Sequence, residues 1–377
     1  MVRVGRSSHA LKVRAALAMQ VIGVAAVYYA GTYLAVLTSP LGLPVTSLWV
    51  SAGIAVASLL IFDIRLWPGI YVGSFLSNIN AVPPPEALMV AFGNTLAPVC
   101  AYLLLRRVGF RIDLDRFKDA LSFVLLGAFA AMTPSATVGV AALVIADAWP
   151  AQEYLRTWIV WWSSDVLGVL AVTPLLLVLR KVPRSVRGRF WTFAGVRWWR
   201  WLELTGLLLV TAAFSIVGDR TFGVLFLAFP LVVLAALRFQ LNGVAPCTLI
   251  ISAVAINTAA QGYGLFDDRG LYENVMILQV FNGTVVLTGL MLAVVITEWR
   301  QAREDIQSTC FRLAEVVERL QESMLPASEA YKDVQKSAKQ AAAESRTSTG
   351  EPPAPDRRSR PGWRNRHPPV ARKRRHR

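Results

Sequence analysis

Asp165 is a carboxylate near the middle of the apolar stretch 157–179, and Arg156 precedes that stretch. A helical rise of about 1.5 Å per residue places the carboxylate roughly 13 Å into a bilayer core about 30 Å thick. Burying a charge there without a partner or water costs at least about 2.5–3.5 kcal/mol, so such residues usually face a bundle interior or a ligand pathway. We therefore expect Asp165 to act in sensing or gating, and we keep a structural role, bonded to Ser or Asn of another helix, as the alternative.

The same stretch carries tryptophans at helical spacing. Trp158, Trp161, Asp165, Gly168 and Val172 follow each other at intervals of three and four and would share one helix face. Tryptophan rings attract cations, so this face would suit a cationic or hydrogen-bonding ligand. Ordinary packing with an interfacial aromatic belt is the alternative.

Amide side chains in other apolar stretches are candidate partners of Asp165. They are Asn78, Asn94, Asn257 and Gln279. The complete set of candidates for ligand sensing or gating is Asp165, Trp161, Trp162, Trp49, Asn78, Asn94 and Gln279.

Residues for catalysis or metal binding are not grouped anywhere in the sequence. His9, His367 and His376 all lie in the polar ends, so histidine ligands and histidine proton relays are excluded from the apolar region. Cys100 and Cys247 lie far apart and predict no disulfide or metal motif. No phosphate-binding loop, Ser/His/Asp set or carboxylate pair is present. We expect a protein that is not an enzyme and that has no cofactor and no metal.

The composition requires a membrane. Hydrophobic residues make up 55%, charged residues 17%, and the mean hydropathy is +0.47. We predict an all-α integral membrane protein, a polytopic bundle of about ten transmembrane helices. The predicted spans are 15–37, 46–62, 66–80, 86–105, 119–146, 157–179, 201–217, 221–237, 240–260 and 274–297.

Basic residues in the loops between these spans predict the orientation. Eighteen Lys and Arg lie before the first span and in alternate loops, against three in the remaining loops. By the positive-inside rule, both termini of this multi-pass protein would be cytoplasmic, and the protein would lie in the cell membrane.

Beyond the last span the chain becomes polar and helix-favouring. Residues 299–326 carry a heptad-like apolar seam formed by Ile306, Cys310, Leu313, Val317, Leu320 and Met324. We expect a parallel coiled coil in a homodimer that relays a signal, with Ile306, Leu313, Val317 and Leu320 in the contact. The alternative is an amphipathic helix on the membrane surface or on the bundle.

Two polar segments flank this organisation. Residues 1–14 form an N-terminal cytoplasmic segment, followed by a membrane domain over 15–298. Residues 327–377 are expected to be a disordered basic, Pro/Arg-rich tail, because they contain too little apolar surface to fold. Binding to anionic lipid or nucleic acid is the less favoured interpretation, with nucleic acid unlikely as a partner.

Several motifs, in order, resemble a known family. They are Leu48–Ala55, Arg65–Ile70, Gly73–Asn78, Gly93–Leu96, Trp161–Asp165 with Gly168 and Pro174, Ala236–Phe239 with Gly243, and Leu278–Phe281. Together, over residues 15–300, they are similar to the first class of bacterial membrane-associated sensor domains, the MASE family. The resemblance implies a sensory input module for an unknown small-molecule ligand or partner.

Modules of that family usually precede a cytoplasmic output domain. Here Leu320–Pro326 is similar to the entry motif of type 2C serine phosphatases, yet the catalytic fold does not follow it. The resemblance therefore implies a separate cytoplasmic output protein as partner. A transporter or permease that uses Asp165 as a proton or cation site is the alternative function.

Overall fold

The computed structural model describes residues 3–37, 46–181, 197–222, 228–261 and 270–348, and the described chain is all-helical. The chain divides into two compact units, Met1–Glu304 and Asp305–Arg377. The prediction of an all-α fold is confirmed for the described residues.

Eleven α-helices are described. Their bounds are α1 Arg3–Leu37, α2 Val50–Ile61, α3 Trp67–Asn78, α4 Pro84–Arg107, α5 Phe117–Ser122, α6 Thr133–Ile145, α7 Tyr154–Lys181, α8 Arg197–Phe222, α9 Ala228–Phe239, α10 Leu241–Gln261 and α11 Leu271–Ser348. A π-helix over Phe123–Ala130 continues α5, and 3-10 turns occupy Ile64–Leu66 and Ala151–Glu153.

Six helical segments of the described chain are long and apolar enough to cross a membrane. They are Val13–Val36, Pro84–Arg107, Phe117–Ile145, Ala151–Arg180, Leu241–Gln261 and Tyr272–Leu320. The four remaining predicted spans fall on α2, α3 and α9, which have 12 residues each, and on α8, which has 26 residues but a shorter apolar part, Leu202–Ala213. A multi-pass membrane protein is therefore supported, whereas the count of ten spans is not confirmed.

Helix α2 is short because it is an internal element. Its residues Ser51–Leu59 are buried, so its ends need not reach a membrane surface. The turn into α3 begins at Asp63, whose Oδ1 accepts a hydrogen bond from the Arg65 backbone N–H at 3.2 Å. The predicted spans 46–62 and 66–80 likewise left only residues 63–65 between them.

Two glycines let α2 lie directly against α7. A Cβ atom at Gly168 would lie 1.9 Å from the Trp49 carbonyl oxygen, and one at Gly53 would lie 2.2 Å from the Gly168 carbonyl oxygen. Thr173 Oγ1 donates a hydrogen bond to the Gly53 carbonyl at 3.0 Å. The Trp49 backbone N–H donates to the Ser164 carbonyl at 3.1 Å. These contacts fix the position of α7 one residue before Asp165.

Helix α1 is tied to α2 through hydroxyl groups. Ser51 Oγ donates to the Tyr28 carbonyl at 2.8 Å, and it lies 2.8 Å from Thr32 Oγ1. Tyr28 is only 1% exposed. The first helix therefore places a buried phenol among the helices that surround Asp165.

Helix α11 continues beyond the predicted end of the signalling helix. Residues 327–348, which the composition predicted to be disordered, are helical. The physical reason is that this segment is rich in Ala, Lys, Gln and Glu and contains no Gly or Pro, so helix propensity favours continuation. The rest of the predicted tail, residues 349–377, lies outside the described residues.

Candidate functional site

Asp165 lies at the centre of a buried group of polar side chains. It is 2% exposed, and its Oδ2 atom lies 2.6 Å from the hydroxyl oxygen of Ser135 on α6. The indole N–H of Trp161 donates to the same hydroxyl oxygen at 3.2 Å. One serine therefore joins two neighbouring turns of α7 to α6.

The group extends to three more helices. Ser135 Oγ lies 2.8 Å from Asn94 Oδ1 on α4, and Asn94 Nδ2 donates to Ser74 Oγ on α3 at 2.9 Å. The Tyr28 hydroxyl of α1 has hydrogen-bonding contacts with the side chains of Trp49, Ser74 and Asn94. We call the chain of side chains Asp165, Ser135, Asn94 and Ser74 the Asp165 network.

A cavity of about 10 Å³ lies beside the Asp165 network. Its lining includes Tyr28, Trp49, Asn94, Ser135 and Asp165. A volume of that size is close to the minimum for one water molecule, and the polar lining supplies several hydrogen-bonding groups. The site can hold a proton or a water molecule in this conformation, whereas an organic ligand is too large for it.

Ser135 has one hydroxyl proton but two neighbouring acceptors, Asp165 Oδ2 and Asn94 Oδ1. With a neutral Asp165, the carboxyl group donates to Ser135, Ser135 donates to Asn94, and the Asn94 amide donates to Ser74. With an ionised Asp165, Ser135 donates to the carboxylate instead. Asn94 must then turn its amide over, so that its NH₂ donates to Ser135 and its oxygen accepts from Ser74.

Both arrangements satisfy the polar groups with the same heavy-atom positions, because the O and N atoms of an amide can exchange places. The proton on Asp165 is therefore coupled to the orientation of Asn94 on α4 and of the Ser74 hydroxyl on α3. Within the described chain Asp165 forms no ion pair, and Tyr28 is the one other titratable side chain that lines the cavity.

Trp161 reaches Ser135 because α6 has no side chain where the ring lies. A Cβ atom at Gly139 would be 2.6 Å from the Trp161 Cζ2 atom. The predicted face of α7 is therefore directed into the bundle at Trp161, Asp165, Gly168 and Val172, which are all buried. Trp158 departs from it, since its indole N–H donates to Thr137 Oγ1 at 3.1 Å in an exposed contact.

Trp162 and Gln279 form a second, separate cluster. Trp162 stacks on Trp158 at a centroid distance of 5.9 Å, and its indole N–H donates to the Phe129 carbonyl at 2.9 Å. Gln279 Nε2 donates to the Val160 carbonyl at 2.9 Å and Gln279 Oε1 accepts from Ser163 Oγ at 2.7 Å. Both residues line a cavity of about 370 Å³ between α7 and α11, which we call the lateral groove.

The structure thus divides the predicted site residues. Asp165, Trp161, Trp49 and Asn94 meet at the Asp165 network, whereas Trp162 and Gln279 lie at the lateral groove. Two predicted amides join neither cluster. Asn78 Nδ2 donates to the Ser74 carbonyl of its own helix at 2.8 Å, and Asn257 is exposed and accepts from Gln261.

Sequence reasoning missed Ser135, Ser74 and Tyr28. Ser135 follows Thr133 and Pro134 within the fifth predicted span, and Ser74 lies in the motif Gly73–Asn78. Hydroxyl groups in apolar helices are common because they can bond to their own backbone, so they are weak signals alone. A search for hydroxyl side chains at the depth of Asp165 would have found Ser135.

The predicted relay residues all lie on the surface of the chain. The exposed fractions of Ile306, Leu313, Val317 and Leu320 are 64%, 60%, 58% and 56%. Cys310, in the same seam, is exposed as well, and the side chain of Met324 lies outside the described ones.

Among the described residues, no group of three or more His, Cys, Asp or Glu side chains is placed to hold a metal ion.

A multi-pass helical bundle that encloses a buried carboxylate, with no ion pair to it among the described residues, defines a membrane protein with a polar core. The family model of MASE1 matches residues 17–300, about three quarters of the chain, and the chain belongs to that family of membrane sensory input domains. No curated protein and no solved structure matches the sequence.

Proposed function

We propose that this sensory input domain uses the Asp165 network as its two-state element and α11 as its output helix. The observation that carries the proposal is the single Ser135 hydroxyl shared between Asp165 and Asn94. A proton, or a ligand or partner that alters the network, would favour one arrangement of the polar groups over the other. A signal can shift such an equilibrium by the difference in its affinity for the two states.

The two arrangements differ in the strength of the contacts between helices. In the ionised state the bond from Ser135 to Asp165 is charge-assisted, and such bonds are about twice as strong as neutral ones. The contact between α6 and α7 is then strengthened, whereas the bond between Asn94 and Ser74 changes direction. A change at Asp165 would therefore alter how α7 packs against α6 and how α4 packs against α3.

Helix α7 is also bonded to α11. The Val160 carbonyl and the Ser163 hydroxyl, which bind Gln279, flank Trp161 on α7. Near the opposite end of the span, Glu298 Oε2 accepts from the Phe117 backbone N–H at 2.9 Å, and Arg300 donates to the Leu237 carbonyl. A shift of α7 would thus reach α11 through the Gln279 bonds, while Glu298 and Arg300 attach α11 to neighbouring elements at the other end of the span.

We further propose that α11 pairs with its counterpart in a homodimer as a parallel coiled coil on the cytoplasmic side. The exposed seam of Ile306, Leu313, Val317 and Leu320 supports this proposal, because apolar side chains at a and d positions are buried by a partner helix. The pair would act on a separate cytoplasmic output protein, and the domain itself would be non-enzymatic.

The native Cys310 tests the proposal in membranes, because it lies in the seam and is exposed. A symmetric parallel pair brings two copies of Cys310 together, so mild oxidation should give a covalent dimer that Cys310→Ser abolishes. Asp165→Asn should keep the protein abundant and folded while changing the yield or rate of this cross-link.

Asp119→Asn is the matched control. Asp119 is also buried, but its Oδ1 accepts from the Arg111 backbone N–H at 3.2 Å, an interaction that an asparagine retains. We expect no change in cross-linking for that variant. An unchanged cross-link in Asp165→Asn would contradict the relay, and loss of folded protein in Asp165→Asn would show that the residue is structural.

The buried, unpaired carboxylate beside a water-sized cavity also supports a second candidate, a transporter with a proton or cation site. Purified protein in vesicles would then carry a proton or cation current that Asp165→Asn abolishes and Asp119→Asn retains. Such a current together with an absent Cys310 cross-link would favour transport over sensing.

A further inference from the structure

The lateral groove has the volume of a ligand site, about 370 Å³, and lies at the depth of the membrane spans. It is bounded by α7 from Ile159 to Leu170, by α11 from Met276 to Thr288, and by Phe129. Val280 on its rim is 69% exposed, so the groove opens away from the protein core. In a membrane, that opening faces lipid.

Polar groups of the groove are largely satisfied by the protein itself. Ser163 and Gln279 bond to each other at 2.7 Å, and the Gln279 amide also donates to the Val160 carbonyl. The Trp162 indole N–H is bonded to Phe129, and Thr284 Oγ1 donates to the Val280 carbonyl of its own helix at 2.7 Å. The groove therefore offers a mainly hydrocarbon surface, which selects an apolar occupant.

The length of the groove matches one leaflet of the bilayer. At about 1.5 Å per residue, the twelve steps from Met276 to Thr288 cover about 18 Å. Half of a hydrocarbon core about 30 Å thick is about 15 Å. A single extended hydrocarbon chain that enters from one membrane surface would lie along this whole distance.

Polar residues lie within about one helical turn of the groove lining, near the starts of α7 and α11. The Thr157 and Tyr272 hydroxyls are 3.5 Å apart there, and Arg156 and Glu153 are close enough to interact electrostatically with Tyr272. Hydroxyl groups and an arginine suit the phosphate and ester oxygens of a lipid headgroup. The apolar groove is thus followed along α7 and α11 by polar side chains, of which Arg156 would face a headgroup phosphate and Glu153 a cationic headgroup amine.

We propose that the lateral groove binds one acyl chain of a bilayer phospholipid whose headgroup lies beside Tyr272 and Arg156. Because the occupant would contact α7 and α11 on either side of the Gln279 bonds, it would respond to the composition of the membrane. The binding itself does not depend on the proposed role of the Asp165 network.

Gly283 provides the test, because it forms part of the groove wall. A Cβ atom there would meet Leu167 Cδ2 at 3.6 Å, an ordinary contact, so a leucine can be accommodated and would fill the groove. Gly23 on α1 is the matched control, since a Cβ atom there has no neighbour within 4 Å.

The full-length protein would be extracted in detergent, exchanged extensively, and analysed for retained phospholipid by native mass spectrometry. We expect one retained phospholipid for the unaltered protein and for Gly23→Leu, and for Gly283→Leu an affinity at least roughly tenfold lower, about 1.4 kcal/mol, with a correspondingly reduced occupancy. Thr284→Trp serves as a second groove-filling variant in case Gly283→Leu does not fold.

A phosphatidylethanolamine with a photoreactive acyl chain, in vesicles of the unlabelled lipid, then locates the occupant. Cross-links should concentrate at 159–170 and 276–288 and decrease in Gly283→Leu but not in Gly23→Leu. Equal retention in the two leucine variants, cross-links spread evenly over the exposed face of α1, or retention of a free fatty acid instead of a phospholipid would overturn the proposal.

Discussion

The Asp165 network and the lateral groove lie on different sides of the same helix, and they differ in polarity and in size. The network surrounds a water-sized cavity with polar groups from α1, α3, α4, α6 and α7. The groove is more than thirty times larger, and its polar groups are already bonded within the protein. Helix α7 therefore separates a polar cavity that is large enough for one water molecule from an apolar groove that is large enough for a hydrocarbon chain.

The two sites also differ in how tightly their surroundings are packed, and a pair of glycine variants should show it most strongly. Gly168→Ala would place a methyl group 1.9 Å from the Trp49 carbonyl oxygen, so α2 and α7 must separate, at a cost of about 3 kcal/mol or more. Gly283→Ala at the groove should change stability by less than about 0.5 kcal/mol. Thermal unfolding in one detergent measures both, and equal effects would contradict the comparison.

A pair of serine variants should give a smaller contrast. Ser135→Ala removes a hydroxyl that contacts three side chains and leaves Asn94 and Trp161 without that partner, so we expect a loss of about 1–3 kcal/mol. Ser163→Ala removes one side-chain partner, Gln279, and should cost about 1 kcal/mol. If Ser163→Ala proves the more destabilising, the network is not the more connected of the two sites.

The smallest effect is expected for the coupling between the network and the groove, and a cycle within the network provides the reference. A double-mutant cycle of Asp165→Asn with Ser135→Ala should give an interaction energy of about 0.5–3 kcal/mol, because the two groups share a hydrogen bond. The cycle of Asp165→Asn with Trp162→Phe should be additive within about 0.5 kcal/mol. Strong non-additivity in the second cycle would mean that the network and the groove act as one site.

The sequence was most informative where one residue carried an energetic cost. The free energy needed to bury a carboxylate in a membrane predicted that Asp165 lies at a functional or structural site. Helical spacing placed Trp161 on the same face of the helix. Trp49 and Asn94 were candidates whose proximity to Asp165 the sequence could not predict, and the structure places both beside it. The candidate set combined Trp162 with Trp161, although adjacent residues on a helix differ in direction by about 100°, and the two indoles belong to different clusters.

The remaining differences arise from tertiary packing and from propensity. Helix α2 is shorter than a span because other helices bury it, which hydropathy along one segment does not reveal. Ser135 and Ser74 are important through their partners, and these lie 20 to 41 residues away in sequence. For residues 327–348, low apolar content suggested disorder, whereas their helix-forming side chains continue α11.

Gly139 gives the contact between α6 and α7 a particular mechanical property. The Trp161 ring rests on bare backbone, at the place where any other residue would present a side chain. Interlocked side chains resist rotation of one helix against another, because each must climb over its neighbour. At Gly139 no side chain of α6 stands beside the ring, whereas further along α7 the contacts of Gly53 and Gly168 hold the helix against α2. Any larger residue at Gly139 would push the Trp161 ring away from α6 and lengthen its hydrogen bond to Ser135.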